Sequence, residues 1–89
     1  MNHPKVSVVM PVYNEEKFLD KSIQSILNQT FKDFEFIIVN DCSKDNSRKI
    51  IEKYKKIDKR IILINNKKNK NFPEVRNIGI RASKGKYIA

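Results

Sequence analysis

Two short polar clusters in this sequence carry side chains able to do chemistry. The first is Tyr13-Asn14-Glu15 and the second is Asn40-Asp41-Cys42-Ser43. Each follows an apolar run, Lys5–Met10 (KVSVVM) or Phe34–Val39 (FEFIIV). A carboxylate held at the end of a strand accepts hydrogen bonds from ribose hydroxyls or from a base N–H. An aromatic ring in the same place packs against a base. The pattern therefore admits nucleoside binding. It equally admits loop capping, in which Asp41 and Ser43 only satisfy backbone N–H groups.

Other chemistries lack their residues. No G-x-x-x-x-G-K-S/T loop and no G-x-G-x-x-G follows the first apolar run. This argues against a P-loop nucleotidase and against a dinucleotide-binding dehydrogenase half. His3 stands alone near the start and reads as a tail residue. Cys42 has no His nearby and reads as an incidental thiol rather than a nucleophile. As the single cysteine it rules out an internal disulfide framework and a Cys-based zinc site. No second acidic cluster or His/Cys grouping completes a metal site.

The elements that must position these residues follow from periodicity. Lys5–Met10, between Pro4 and Pro11, reads as a buried strand, and Pro11-Val12-Tyr13-Asn14 as a turn. Asn14 suits an N-cap, with Glu15 and Glu16 in the first helical turn, where negative charge is favoured. Phe18, Leu19, Ile23, Ile26 and Leu27 then form one apolar stripe, to about Asn28. Phe34–Val39 is a second strand. Ser43 or Asp45 caps a helix running to Ile57, with Ile50, Ile51, Tyr54 and Ile57 facing inward. Arg60–Ile64 is a third strand and 65–71 a basic loop. A third helix runs from Pro73, which suits a first-turn position, to Ser83. Its inner face is Val75, Ile78, Gly79 and Ala82. Gly85 fits the C′ position, and Lys86-Tyr87-Ile88-Ala89 starts a fourth strand. The order β-α-β-α-β-α-β predicts a Rossmann-like α/β fold, a parallel sheet with right-handed crossovers and helices on both faces.

With 89 residues the chain is one small domain or part of one. Its composition is globular rather than disordered. It holds no apolar run long enough for a membrane span and no signal peptide. The net charge of +9 is lopsided: residues 1–43 carry −2 and residues 44–89 carry +11. A basic half invites a nucleic-acid or anionic-surface reading. The charges are interleaved with periodic apolar residues, which favours a solvated Lys-rich surface.

Four stretches together resemble the family 2 glycosyltransferases. Val6–Asn14 with Pro11-Val12-Tyr13-Asn14-Glu15 looks like the family's opening strand and turn. Ser25-Ile26-Leu27-Asn28-Gln29-Thr30 resembles its S-I-x-x-Q-T segment. Phe34–Asp45 resembles its E-I-I-V-D-D-G-S-x-D strand and loop. Arg76-Asn77-Ile78-Gly79, then Ala82, Gly85, Tyr87 and Ile88, resembles its A-R-N-x-G-x-x-x-A-x-G-x-Y-I stretch. Each motif is weak alone, but four in register over almost the whole chain are specific.

The resemblance implies residues 1–89 to be the N-terminal nucleotide-sugar-binding part of a glycosyltransferase A-type fold. Pro11, Val12 and Tyr13 match the residues lining the nucleoside pocket. Asp41 matches the acid that binds the base, usually uracil, and Glu15 an acid near the same pocket. Arg76 matches an Arg on the diphosphate side. Two residues depart from the pattern. Asn40 replaces the first Asp of the usual pair, keeping an acceptor while losing the charge. Cys42 replaces Gly, which tolerates positive φ where Cys does so poorly, so the loop conformation is at issue. Family members continue into an Asp-x-Asp-type motif that holds Mn²⁺ or Mg²⁺, and supply a catalytic carboxylate further on. This chain ends before those acids.

The resulting expectation is the UDP-sugar-binding part of an inverting enzyme that glycosylates a glycan or lipid-linked acceptor. The 89 residues alone are expected to hold no catalytic residue and no metal, to be inactive, and to self-associate through a bare strand edge. The implied setting is cytoplasmic, with any attachment to the inner membrane face made through parts outside this chain. Two alternatives carry no enzymatic activity. A receiver-type regulatory module needs an acid after the third strand, where Asn65-Asn66 stands. A nucleic-acid-binding domain would use the basic half, which lacks aromatic interleaving.

Overall fold

The computed structural model describes residues 4–89, so the reading of His3 lies outside it. Strands and helices alternate as β1 (Val6–Val12), α1 (Glu16–Leu27), β2 (Phe34–Asn40), α2 (Ser47–Ile57), β3 (Ile61–Asn65), α3 (Phe72–Ala82) and β4 (Tyr87–Ile88). The strands form one parallel sheet in the order β3-β2-β1-β4. The chain steps from β1 to β3 in one direction and then returns to the far side of β1. With crossovers of one hand, that reversal moves the connecting helix to the opposite face. Packing follows this rule. Leu19 and Ile23 of α1 and Ile51 and Tyr54 of α2 pack with Val8, Val12, Phe36 and Ile38. Val75 of α3 packs with Ile37 and Val39 on the other side. The predicted fold class is the observed one. No described helix is long and apolar enough to cross a membrane.

Strand alternation decides which residues face which helix. On β2, Phe34, Phe36 and Ile38 face α1 and α2, whereas Ile37 and Val39 face α3. β1 pairs Ser7 with Glu35 and Pro11 with Val39, so these four share the α3 side.

Pro11 lies within β1 rather than beginning a turn. Strand parity accounts for it. Lys5, just before β1, and Ser7 and Val9 within it bond toward the β4 side, while the Val6 amide and the Val12 carbonyl bond toward the β2 side. Pro11 belongs to the first set, and β4 pairs only with Val6 and Ser7. The missing N–H of Pro11 therefore faces a side with no ladder partner and costs the sheet nothing.

Other expectations shift for geometric reasons. Phe18 is exposed, because it lies about 100° from the buried Leu19–Ile23 line of α1. Ile57 is exposed too, because the buried line Ser47–Ile51–Tyr54 of α2 continues toward Asp58. Gly79 sits inside α3 because a methyl group there would overlap Val9 and press on Val39 Cγ2 at 3.3 Å. The small residue lets the helix approach the sheet. Gly85 does not take a left-handed C′ position, since no glycine has positive φ. Its requirement is close approach: a Cβ would lie 2.6 Å from the Ser7 amide nitrogen.

That approach belongs to a buried polar clasp absent from the sequence-based reading. Ser7 Oγ donates to Glu35 Oε2 at 2.5 Å, the Lys84 amide donates to the same oxygen at 2.5 Å, and the Gly85 amide donates to Ser7 Oγ at 2.8 Å. Ser7 and Glu35 are buried, so the bonds exclude water. The clasp ties β1 and β2 to the turn leading into β4.

Candidate functional site

The loops after β1 and β2 brace each other. Asn14 is not the N-cap of α1; it takes φ 50° and Glu15 occupies the cap position without a side-chain bond. The amides leading into α1 are held from the loop after β2 and from the first residue of α2. The Asn14 amide donates to Ser43 Oγ at 3.0 Å, that of Glu15 to Ser47 Oγ at 3.0 Å, and that of Glu16 to Asp45 Oδ2 at 3.2 Å. In return Asn14 Oδ1 accepts the Lys44 amide at 2.7 Å. Ser43 thus holds the turn before α1 rather than capping α2, while Asp45 serves the first residue of both helices by also accepting the Ser47 amide at 2.9 Å. Burial pushes the Asp45 carboxyl up, but the Ser47 hydroxyl and the Ser47 and Glu16 amides outweigh it and hold it below the ordinary Asp value.

Cys42 takes φ 62°, the left-handed conformation that Gly would adopt freely. Its neighbours hold it there. Asn40 Oδ1 accepts the Ser43 amide at 3.3 Å, and Asn40 Nδ2 donates to Asn65 Oδ1 at 3.0 Å. Left-handed backbone costs an ordinary residue about 1–2 kcal/mol. Glycine would remove that cost but order a freer chain, at about 0.5–1 kcal/mol. Cys42→Gly is therefore expected to stabilise the fold by about 0.5–1 kcal/mol, read as a higher thermal midpoint. A lower midpoint would contradict the assignment of strain to this residue.

Beside these braced loops, on the α3 side, lies a cleft of about 180 Å³ at the carboxyl ends of β1 and β2. Pro11, Val12, Tyr13, Glu15 and Asp41 line one part of it; Asn69, Lys70, Phe72 and Val75 line the rest. Parallel α/β sheets bind ligands at this position. The volume is below the roughly 300–1,000 Å³ of complete small-molecule sites, and suits one ring system better than a whole nucleotide sugar. Five of the six residues expected at the site thus line one cleft. Arg76 does not line it; it is exposed on α3, beside Val75.

Asp41 is 4% exposed; it clamps the segment after β3 and also lines the cleft. Its Oδ1 receives Asn66 Nδ2 at 3.0 Å and the Lys70 amide at 2.9 Å, and its Oδ2 shares the Lys70 amide at 3.0 Å. The capping reading is therefore correct as far as it goes. A carboxylate has about four lone-pair sites, and these three bonds leave one of them, on Oδ2, unused. The contribution of Asn69 and Lys70 was hidden in a stretch that reads as basic loop, and Phe72 fell between that loop and the predicted helix. The available signal was Phe72, an apolar residue stranded in polar sequence directly before Pro73.

Among the described residues no three His, Cys, Asp or Glu side chains are grouped to hold a metal ion. The partners of Asp41 are N–H donors, which suit an acceptor and oppose a cation. The residues present do not fit the Mn²⁺ or Mg²⁺ that the resemblance implies.

The sequence model for glycosyl transferase family 2 matches residues 7–89. The chain belongs to glycosyl transferase family 2. An uncharacterized glycosyltransferase of Methanocaldococcus jannaschii, MJ1057, is 50% identical over 91 residues, covering 100% of this chain and 31% of the relative. One from Haemophilus influenzae is 46% identical over 88 residues, covering 99% of this chain and 27% of the relative. The chain thus spans about a quarter to a third of the length of these curated relatives. Among solved structures, S. aureus TarS 1-349 superposes with TM-score 0.86 at 31% identity, over 94% of this chain and 26% of that one. The same protein is also known in complex with UDP, again at TM-score 0.86 and 31% identity. These neighbours match the doubly covered parallel sheet seen in this family 2 chain.

Proposed function

We propose that this chain is the nucleoside-binding part of an inverting glycosyltransferase that uses a UDP-sugar. The observation that carries the proposal is one cleft at the carboxyl end of the sheet lined by both Tyr13 and the buried Asp41 carboxylate, which keeps an unused lone pair. Family membership supplies the reaction class, and the UDP complex of TarS supports the choice of nucleotide.

In this reading Tyr13 packs on the uracil ring and Asp41 accepts its N–H. The backbone of Pro11 and Val12 lines the nucleoside, with Glu15 at the margin. Arg76, outside the cleft, faces the diphosphate side as a cation. Transfer is displacement at the anomeric carbon. The acceptor oxygen forms the new bond, the bond to the diphosphate breaks, and the electron pair leaves with UDP. A carboxylate takes the acceptor's proton. That carboxylate and the divalent cation belong to residues outside this chain, as does the glycan or lipid-linked acceptor site. The work of these residues is to hold the nucleoside so that the rest can act.

Isothermal titration with UDP and with inorganic pyrophosphate tests the reading. Saturable binding of UDP, with pyrophosphate far weaker, is expected. Equal binding of both would mean that the basic surface attracts anions without a nucleoside site, and would overturn the proposal.

A further inference from the structure

We infer that Phe72 forms the second wall of the base subsite, covering the face of the nucleobase opposite Tyr13. The inference rests on reading the cleft as a nucleoside site and adds a residue to it.

The placement follows from α3. Val75 and Gly79 face the sheet, and Val75 is buried against Ile37 and Val39. Phe72 lies one turn earlier on the same line, about 4.5 Å further along the axis. Unlike Val75, Phe72 joins neither apolar cluster of the sheet. It lines the cleft instead, and is 67% exposed. Tyr13, which lines the same cleft, is 45% exposed. Two large rings left in water at one cleft of this size are an unfilled stacking platform.

The backbone that carries the ring is also fixed. Asn71 caps α3, its Oδ1 accepting the Glu74 amide at 3.0 Å, and Pro73 restricts the backbone next to Phe72. Two residues before Phe72, the Lys70 amide is bound by both oxygens of Asp41. The residue that reads the edge of the base therefore also anchors the segment carrying the second ring. Stacking supplies affinity for any base, and Asp41 supplies the choice among bases.

The test is titration of the full protein, as wild type and as Phe72→Ala, Phe72→Leu and Phe72→Tyr, with uridine, UDP and ribose 5-phosphate. Phe72 is exposed, so the melting temperature is expected to hold in all three variants. Phe72→Ala is expected to weaken uridine and UDP by a common factor of about ten, leaving ribose 5-phosphate unchanged. Phe72→Leu should recover little and Phe72→Tyr most of the loss. In NMR spectra of bound uridine, the ring-current shift of the uracil protons should shrink in Phe72→Ala. Wild type binding UDP while Phe72→Ala binds it equally well would overturn the second wall and leave the nucleoside site standing. Wild type failing to bind UDP would overturn both.

Discussion

Replacing Asp41 by Ala is expected to weaken UDP binding by about 10- to 150-fold, the loss of a charged hydrogen bond worth about 1.5–3 kcal/mol. Titration calorimetry on the full protein reads it, and unchanged affinity would remove Asp41 from the base subsite. The alanine variant also frees Asn66 and the Lys70 amide, so loop loosening contributes. Asp41→Asn separates the two effects. Its amide oxygen still accepts from the loop, while its NH₂ opposes the uracil N3–H across the cleft. Cytosine presents an acceptor at that ring position. Asp41→Asn is therefore expected to lose UDP affinity and to raise CDP affinity relative to UDP. A variant that loses both pyrimidines equally would show that the carboxylate only shapes the loop.

Replacing Glu35 by Ala is expected to have the largest effect on stability. The carboxylate accepts the Ser7 hydroxyl and the Lys84 amide in a buried site. Its removal leaves both donors unpaired next to a cavity, a cost of about 3 kcal/mol. For a chain of this size that lowers the thermal midpoint by roughly 12–24 °C. Glu35→Gln keeps an oxygen for both donors and is expected to lose about 1 kcal/mol. Equal midpoints for wild type and Glu35→Ala would mean that the clasp contributes nothing to the fold.

These two carboxylates mark how far the sequence could be read. Asp41 was recognisable because an acid directly after an apolar run occupies the ligand-facing end of a parallel strand. Glu35 was counted only as part of that run, and its partners Ser7 and Lys84 are distant in sequence. Parity within the strand puts it on the face of Ile37 and Val39, and that was the usable signal. The bracing of the entry to α1 by Ser43, Asp45 and Ser47 was invisible for the same reason. A cap supplied by another loop leaves no local pattern, so Asn14 took the role on propensity alone. Pro11 was misread because proline predicts a break unless the pairing partner on its N–H side is known. The fold class, by contrast, needed only the order of periodic segments. At Cys42 the family's Gly only put the loop conformation at issue, and the structure resolves it as positive φ.

The decisive measurement is an NMR titration of the isotopically labelled protein with UDP, following the backbone amides. The nucleoside-site reading predicts saturable shifts concentrated at Val12, Tyr13, Asp41, Lys70 and Phe72, all around the one cleft. The exposed basic face of α2, with Lys49, Lys53 and Lys56, should stay unperturbed. Shifts confined to that basic face and screened out by salt, with the cleft silent, would contradict it.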